Sequence, residues 1–363
     1  MDKDATPRLF FIQQRPDGHI KREWVRPADE AAYHNLLKAE GFLSPSDHDL
    51  YGPLLQKAVI VQDLNELENH LLPVFWQKNQ AAKFYRNRYY QYEWLSILSA
   101  FFVVSFATVS IYFFAQNWSE RMVIEAIRPT ELLGLLASIL AGAGASVRFL
   151  AANQTPWRRW IENQRTAEEL RSLYFKYLTH TPPFDSEKRV VGLHKQAKYV
   201  ASEGALSVPE VPYYHPQFMA LLDKNTAVLL SEFYSDRIES HLRLFSGEII
   251  YLQYNADRLI GLEAGLAGVT AIIASYSVIS DRPFSVFILV LLTAFAVTIL
   301  LFRKLYQFEE NITFYKQVWT NLDQLRLSNF QGESHGDEET LNRLVIIVEQ
   351  VETLITLALN QRR

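Results

Sequence analysis

Residues 95–114 read LSILSAFFVVSFATVSIYFF and carry no charged side chain. A bilayer core of roughly 30 Å takes about 20 helical residues to cross, so this stretch predicts a transmembrane helix. Residues 283–302, which read PFSVFILVLLTAFAVTILLF, have the same length and also lack charge. These two stretches predict that the chain enters a membrane.

Two further apolar stretches complete the pattern. Residues 132–147 read LLGLLASILAGAGASV, and the helix can continue past Arg148 because an arginine side chain can reach back to the membrane surface. Residues 259–278 are also long enough, with Glu263 about one turn inside. One such stretch is also typical of a core helix in a soluble protein, but four that are paired and bracketed by charge are not. We therefore expect an all-α integral membrane protein built from two tandem two-transmembrane helical hairpins with long cytoplasmic helices.

Basic residues cluster at the ends of the hairpins that lead away from the turns. They are Lys78, Lys83, Arg86, Arg88, Arg148, Arg158 and Arg159 in the first hairpin, and Arg243, Arg258, Arg303 and Lys304 in the second. The turns hold only Arg121, Arg128 and Arg282. Cytoplasmic segments next to spans are enriched in lysine and arginine. We therefore expect a multi-pass protein of the cell inner membrane with both termini in the cytoplasm.

The two hairpins repeat the same charged residues at fixed spacing. The corresponding pairs are Arg88/Arg258, Glu93/Glu263, Arg148/Arg303 and Arg171/Arg326. The first two pairs are 170 residues apart and the last two 155, because the first turn is the longer one. This spacing favours an internal duplication of parallel repeats, which enter the membrane from the same face.

The duplication sets the predicted domain boundaries. They are an N-terminal cytoplasmic segment (1–58), a first two-transmembrane repeat (59–184), a cytoplasmic linker (185–222), a second repeat (223–330) and a C-terminal amphipathic helix (338–363). In the first segment, Leu9–Gln13 and His19–Val25 flank Arg15–Gly18, which is a pattern that predicts a small β-hairpin. A helix is expected from Pro27 to Glu40.

Six charged residues mark the boundary of the spans, and we call them the threshold charges. They are Arg88, Glu93, Arg148, Arg258, Glu263 and Arg303. Charges near a membrane core are costly and are kept for structure or permeation. The structural interpretation is ion pairing of the two glutamates with Arg148 and Arg303. The functional alternative is a ring of carboxylates at a cation pore mouth, and the sequence leaves both open.

Small residues predict where helices meet. Gly134, Ser138, Gly142 and Ser146 recur every four residues on one face, and Gly261 and Gly265 form a G-x-x-x-G pattern. Such faces let helix backbones approach closely in lipid. We expect them to pack within the hairpin, with an interface between subunits as the alternative.

The last predicted helix carries an apolar stripe at 4-3-4 spacing. Its residues are Leu344, Val348, Val351 and Ile355. This spacing is typical of a short coiled-coil seam and predicts a homo-oligomer. The alternative is that the stripe docks onto the cytoplasmic helices of its own chain.

Several classes of function lack support in the sequence. The chain has no cysteine, and its nine histidines form no close ligand pair. No phosphate-binding glycine loop and no nucleophile motif occurs, so we expect no catalytic residues, no cofactor and no metal. The net charge of −4 gives no indication of nucleic-acid binding. The polar N-terminus lacks the apolar core of a signal peptide.

The order of charged helix, two spans and a helix with the stretch Ala167–Arg171 (AEELR) resembles the SLATT superfamily of bacterial two-transmembrane domains. The likeness is better in residues 75–180 than in residues 240–330, where only Asp323–Arg326 (DQLR) remains of that stretch. The resemblance implies oligomerisation and a pore-forming effector role in bacterial defence. It also implies control by a cytoplasmic sensor or a nucleotide signal.

Two functions follow from these observations. The first is an oligomeric ion channel or pore-forming effector of the inner membrane, gated through its cytoplasmic helices. The second is a non-conducting membrane scaffold whose helical bundle recruits partners. The expected partners are the lipid bilayer and further copies of the chain.

Overall fold

The computed structural model describes residues 29–43, 48–116, 129–184, 188–203, 224–280, 283–330 and 337–360. Within these ranges the chain is helical and has no strand, which confirms the all-α fold class. The predicted β-hairpin lies outside the described residues, as do most of the first turn and the proline-containing part of the linker. The domain boundaries inferred from the duplication stay predictions.

The described ranges contain eleven helices. They are α1 (Glu30–Ala39), α2 (His48–Leu55), α3 (Ala58–His70), α4 (Leu72–Ala115), α5 (Pro129–Gln154), α6 (Pro156–Leu178), α7 (Arg189–Glu203), α8 (Lys224–Ser280), α9 (Pro283–Tyr306), α10 (Phe308–Phe330) and α11 (Asp337–Asn360). The helix expected before Gly41 is α1, whereas nothing in the sequence pattern predicted α2. Proline opens α5, α6 and α9, where its missing N–H costs no hydrogen bond.

Local chemistry sets both ends of α1. The Asp29 carboxylate accepts a hydrogen bond from the Ala31 backbone N–H at 3.2 Å, which caps the first turn. Gly41 follows the helix with a φ of 79°, and the Phe42 N–H donates back to the carbonyl of Leu37. This is the glycine-terminated C-cap that lets a helix end sharply.

Among the described residues, four helical segments have the length and composition to cross a membrane. Each of α4, α5–α6, α8 and α9–α10 contains an 18-residue apolar stretch, and the chain itself buries only 0 to 17% of each stretch. The four spans expected from the sequence are therefore present, and the chain is an all-α membrane protein. The surface of the spans is left to lipid or to other protein.

The helices divide into two compact units. The membrane unit comprises Asn87–Pro156 and Ile250–Ile312, together with an N-terminal stretch outside the described residues. The bundle unit comprises the described parts of Gln14–Arg86, Trp157–Ile249 and Thr313–Arg363. The long helices α4 and α8 run without interruption from one unit into the other.

In the membrane unit, α4 contacts both α5 and α9. Gly144 of α5 lies so close to Ser99 of α4 that a Cβ atom at Gly144 would be 2.4 Å from the serine Oγ. On the other side, the Tyr112 ring of α4 lies 4.8 Å from the Phe287 ring of α9. Helix α4 is thus held by a small-residue contact on one side and by aromatic packing on the other.

The second span of each hairpin ends in the same kind of break. Thr155 separates α5 from α6 with a φ of 43°, and Gln307 separates α9 from α10 with a φ of 44°. Residues other than glycine rarely adopt this left-handed conformation. Each hairpin therefore pairs one continuous helix with one that is broken at a single residue.

Aromatic side chains form the core of the bundle unit. Phe42 packs against Phe75 and Tyr174 with ring centroids 4.9 and 4.5 Å apart, and Phe175 lies 6.0 Å from Tyr234. All five side chains are buried. Since aromatic side chains bury large apolar areas, this core supplies much of the stability of the unit.

Candidate functional site

The threshold charges of the first hairpin form an ion pair between α4 and α5. The Arg148 Nη1 atom lies 3.6 Å from the Glu93 carboxylate, and the Arg148 Nε–H donates to the Ser96 hydroxyl at 2.6 Å. The guanidinium of Arg148 is thus held by a carboxylate and a hydroxyl from the same helix.

The second hairpin repeats this pair between α8 and α9. The Arg303 Nη1–H donates to Glu263 Oε2 at 3.0 Å, and Arg303 also pairs with Glu309 of α10. The other oxygen of Glu263, Oε1, is buried and accepts no hydrogen bond within the described part of the chain. A buried carboxylate oxygen without a donor is costly, so this atom is an available ligand position.

The two ion pairs occupy corresponding positions in the repeats. Glu93 corresponds to Glu263, and Arg148 corresponds to Arg303, which is the match that the sequence spacing predicted. The structure therefore brings four of the six threshold charges together as two pairs. Whether these charges also line a pathway stays a prediction.

The two remaining threshold charges contact aromatic rings. The guanidinium of Arg88 lies 5.4 Å from the centre of the Tyr92 ring, and that of Arg258 lies 4.4 Å from the centre of the Tyr254 ring. Both arginines are exposed, and neither forms an ion pair with another described residue. Their interaction with tyrosine is a cation–π contact.

Aromatic residues join α4 to α9 at the same level. The Trp94 indole N–H donates to the Tyr306 hydroxyl at 2.8 Å, and the rings of Tyr90 and Tyr306 stack at 5.2 Å. The Tyr92 hydroxyl donates to Gln154 at 2.8 Å. Tryptophan and tyrosine favour the membrane–water interface, so this band is consistent with the position of the threshold charges.

The predicted small-residue faces do not pack within their hairpins. Gly134, Ser138, Gly142 and Ser146 of α5 are exposed, as are Gly261 and Gly265 of α8. A Cβ atom built on any of these four glycines would meet nothing within 4 Å in the described part of the chain. The interpretation of packing inside the hairpin is thus wrong for these residues. In the first hairpin the contact is made at Gly144, two residues beyond Gly142 and about 200° round the helix from it. The G-A-G-A alternation at residues 142–145 was the signal that could have identified it.

The apolar stripe of α11 is already covered by the chain. Leu344, Val348, Val351 and Ile355 are each 0 to 2% exposed in the bundle unit. This arrangement favours docking onto the chain's own helices, which was the alternative left open by the sequence. The role of the stripe in oligomerisation has no support from these contacts.

A buried ionic network lies in the bundle unit, and sequence reasoning missed it. Arg171 of α6 pairs with Glu40 at 2.5 Å and with Glu168 at 3.0 Å. The Lys83 ammonium also pairs with Glu40, at 2.9 Å. Glu40 and Arg171 are 131 positions apart, so no local spacing could reveal their contact.

The network continues to the last helix. Arg237 of α8 pairs with Glu352 of α11 at 2.9 Å, and the Tyr234 hydroxyl donates to the same carboxylate at 2.5 Å. The Arg237 guanidinium also lies 3.3 Å from the centre of the Phe175 ring. These contacts fix α11 to the middle of the bundle unit.

The environment shifts the pKa values of these carboxyl groups in opposite directions. Burial opposes ionisation of Glu40, but Arg171 and Lys83 outweigh it and hold its pKa below the usual range. Burial raises the pKa of Glu352 against the opposing effects of Arg237 and Tyr234. Burial therefore has the larger effect on the pKa of Glu352, whereas the two basic partners have the larger effect on that of Glu40.

A second buried cluster links α3 to the segment after α6. His180 Nε2 lies 2.7 Å from the Asp63 carboxylate, and the Arg189 Nη1–H donates to the same group at 2.8 Å. Asp63 and His180 are buried. Among the described residues, no group of three histidines or carboxylates is placed to hold a metal ion.

The described residues define the protein as an α-helical membrane protein with four candidate spans and a bundle unit that contains buried ion pairs. A family described as a protein of unknown function, DUF4231, matches residues 76–190. The match covers the first hairpin and leaves the second outside. No curated protein and no solved structure gives a significant match.

Proposed function

We propose that the chain forms an oligomeric channel or pore of the bacterial inner membrane, gated through its cytoplasmic helices. The observation that carries this proposal is the open small-residue faces of α5 and α8. A Cβ atom built on Gly134 or Gly142 of α5, or on Gly261 or Gly265 of α8, meets nothing within 4 Å in the part of the chain that the structure describes. Helices associate in lipid through such faces, because they allow close backbone approach. Further copies of the chain are the partners that fit them.

The carboxylate of Glu263 supports a cation pathway. Its Oε2 atom is held by Arg303, whereas Oε1 is buried without a donor among the described residues. Carboxylate oxygens at a pore mouth attract and select cations. Repetition of the pair at Glu93 places a second carboxylate at the corresponding position of each chain.

The long helices support coupling between the cytoplasmic part and the spans. At 1.5 Å per residue, α4 is about 66 Å long and α8 about 85 Å. Neither helix has a break where it enters its span. A displacement at the outer part of either helix is therefore transmitted along its backbone.

The likeness to the SLATT superfamily supports the effector role. It rests on residues 75–180, and the DUF4231 match falls on nearly the same stretch. The resemblance is the basis for proposing a bacterial defence setting and a controlling sensor or nucleotide signal.

Electrical recordings from the purified protein test the proposal. The purified protein in planar bilayers is expected to pass current, and Glu263→Gln is expected to lower cation-over-anion permeability, measured as a shift of the reversal potential under a salt gradient. Glu310→Gln is the matched control, because Glu310 is exposed and makes no ion pair with another described residue. If the protein passes no current under any condition, the channel is excluded.

Cysteine labelling tests the proposed orientation. The chain has no native cysteine, so a single cysteine introduced at position 119 or 207 reports its own location. An impermeant reagent applied to whole cells is expected to label Ser119→Cys and to spare Ser207→Cys. The reverse pattern would show that the basic ends of the spans face outward.

The second candidate function is a non-conducting scaffold. A cleft of about 820 Å³ between α10 and α11 favours it. Polar groups such as Asn321, Gln324 and Gln350 line the cleft beside Leu325 and Leu354. A side chain of a partner protein fits this mixture of amides and apolar groups. A protein that binds a partner through this cleft and passes no current would be the scaffold.

A further inference from the structure

Two arginines in the membrane unit carry charge that no described carboxylate balances. Arg88 and Arg258 occupy corresponding positions, each five residues before a threshold glutamate. The other threshold arginines, Arg148 and Arg303, are paired with Glu93 and Glu263. The exposed acids of this region, Asp257 and Glu310, form no ion pair with another described residue. Arg88 and Arg258 thus differ from Arg148 and Arg303 in having no carboxylate partner among the described residues.

Helix geometry gives the depth of the two arginines. Five residues correspond to about 7.5 Å along the helix axis, measured from the glutamate toward the basic end of the span. The headgroup layer is roughly 5 to 8 Å thick on each side of the hydrocarbon core. By the predicted spans, Arg258 directly precedes the core and Arg88 lies seven residues, or about 10 Å, before it. Both long side chains therefore reach the level of the lipid phosphates.

The tyrosine contacts orient both guanidinium groups. Arg88 packs on Tyr92, one helical turn closer to the span, and Arg258 packs on Tyr254, one turn further from its span. A guanidinium that uses its face against a ring keeps its N–H edge available for a bidentate anion. Tyrosine itself favours the headgroup level, so the pair of side chains forms a unit with an apolar body and a donor edge.

We infer that Arg88 with Tyr92, and Arg258 with Tyr254, are two sites, one in each repeat, for the phosphate of an anionic phospholipid headgroup. Basic residues next to spans attract anionic lipids, and a guanidinium binds phosphate through two parallel hydrogen bonds. Binding at both repeats anchors α4 and α8 in the same leaflet. This assignment does not depend on whether the protein conducts.

Native mass spectrometry of the full-length, detergent-solubilised protein tests the assignment. Titration with phosphatidylglycerol is expected to give two bound lipids per chain, with an affinity about tenfold above that for phosphatidylcholine, a ratio equivalent to about 1.4 kcal/mol. Arg88→Gln and Arg258→Gln are each expected to remove one bound lipid, and the double variant is expected to remove both. Arg326→Gln is the control, because Arg326 is partly exposed and already paired with Asp323.

Each outcome bears on the assignment. Equal retention of phosphatidylglycerol by the double variant would overturn it, and so would equal affinity for phosphatidylcholine. If inorganic phosphate competes at equimolar concentration, the sites belong to free phosphate and the lipid assignment fails. Should the double glutamine variant not fold, Arg88→Lys with Arg258→Lys keeps the charge but loses the planar fork, and weaker lipid binding is still expected. Unchanged binding in that variant would refute the stacked geometry.

Discussion

Arg171 and Arg326 hold corresponding positions in the two hairpins, yet their surroundings differ. Arg171 is 11% exposed and pairs with Glu40 and Glu168 inside the bundle unit. Arg326 is 37% exposed and pairs with Asp323 on its own helix and, at 4.0 Å, with the half-exposed Glu239 of α8. The spans of the two hairpins repeat the same threshold pair, whereas the helices that follow have diverged. The first repeat has become the centre of the bundle, and the second has kept its charges at the surface.

The largest expected effect tests this divergence directly. Arg171→Ala leaves the carboxylates of Glu40 and Glu168 without their shared partner, and breaking a buried pair in this way costs about 3–5 kcal/mol. Arg326→Ala removes a partly exposed pair, and a surface change of this kind stays within about 0.5 kcal/mol. Denaturant titration of the purified protein measures both free energies of unfolding. Equal losses of unfolding free energy in the two variants would contradict the different surroundings of Arg171 and Arg326.

A second test concerns how the spans of each hairpin meet. Gly144→Leu forces a side chain into Ser99, and overpacking of this kind costs about 1–3 kcal/mol. The corresponding position in the second hairpin already holds Ile299, which is buried. Gly247→Leu is the control, since Gly247 lies inside α8 but outside the small-residue faces, and a Cβ atom there meets nothing among the described residues. Its melting temperature is expected to stay equal or to rise, because leucine favours helix more than glycine does.

The threshold pairs give a smaller effect. Glu263→Gln removes the 3.0 Å partner of Arg303, and the expected loss is about 1 kcal/mol. Arg303 keeps its pair with Glu309, just as Arg148 keeps its bond to Ser96. Glu93→Gln removes a carboxylate at 3.6 Å, and because this pair is longer, about half that loss is expected. Melting curves of the two variants, measured in the same detergent, show which variant loses more stability. A larger loss for Glu93→Gln would show that the two pairs are not equivalent in strength.

The smallest effect concerns the breaks after the second spans. Asparagine tolerates a positive φ better than threonine or glutamine does, so both Thr155→Asn and Gln307→Asn are expected to stabilise the protein by less than about 1 kcal/mol. The gain should be larger at Thr155, because threonine is branched at Cβ. Thr166→Asn, inside α6, serves as the control and is expected to give no gain. If both asparagine variants are less stable, the native side chains of Thr155 and Gln307 stabilise the helix breaks.

Much of the fold was predictable because its signals are local. Apolar stretches of 20 residues, the basic residues beside them and the Arg-x4-Glu spacing lie within single helices. The threshold pairs could be proposed for the same reason, since the glutamates and the exit arginines fall at equal depths. The open faces of α5 and α8 were misassigned because spacing identifies a face but not its partner.

The bundle was less predictable because its contacts join distant residues. Glu40 meets Arg171, and Arg237 meets Glu352, across more than 100 positions in each case.

The two helix breaks differ in whether the local sequence predicts them. Pro156 disfavours helical conformation at Thr155 and so offers a signal, whereas nothing in the sequence around Gln307 does.

The contrast between continuous and broken helices has a consequence for tolerated sequence changes. One residue inserted within α4 or α8 rotates everything after it by about 100°, so the lipid-facing and bundle-facing sides of those helices fall out of phase. The same insertion beside Thr155 or Gln307 meets a backbone that already departs from helical conformation, and the change of phase is absorbed there. Insertions and deletions should therefore accumulate between α5 and α6 and between α9 and α10, while the lengths of α4 and α8 stay fixed.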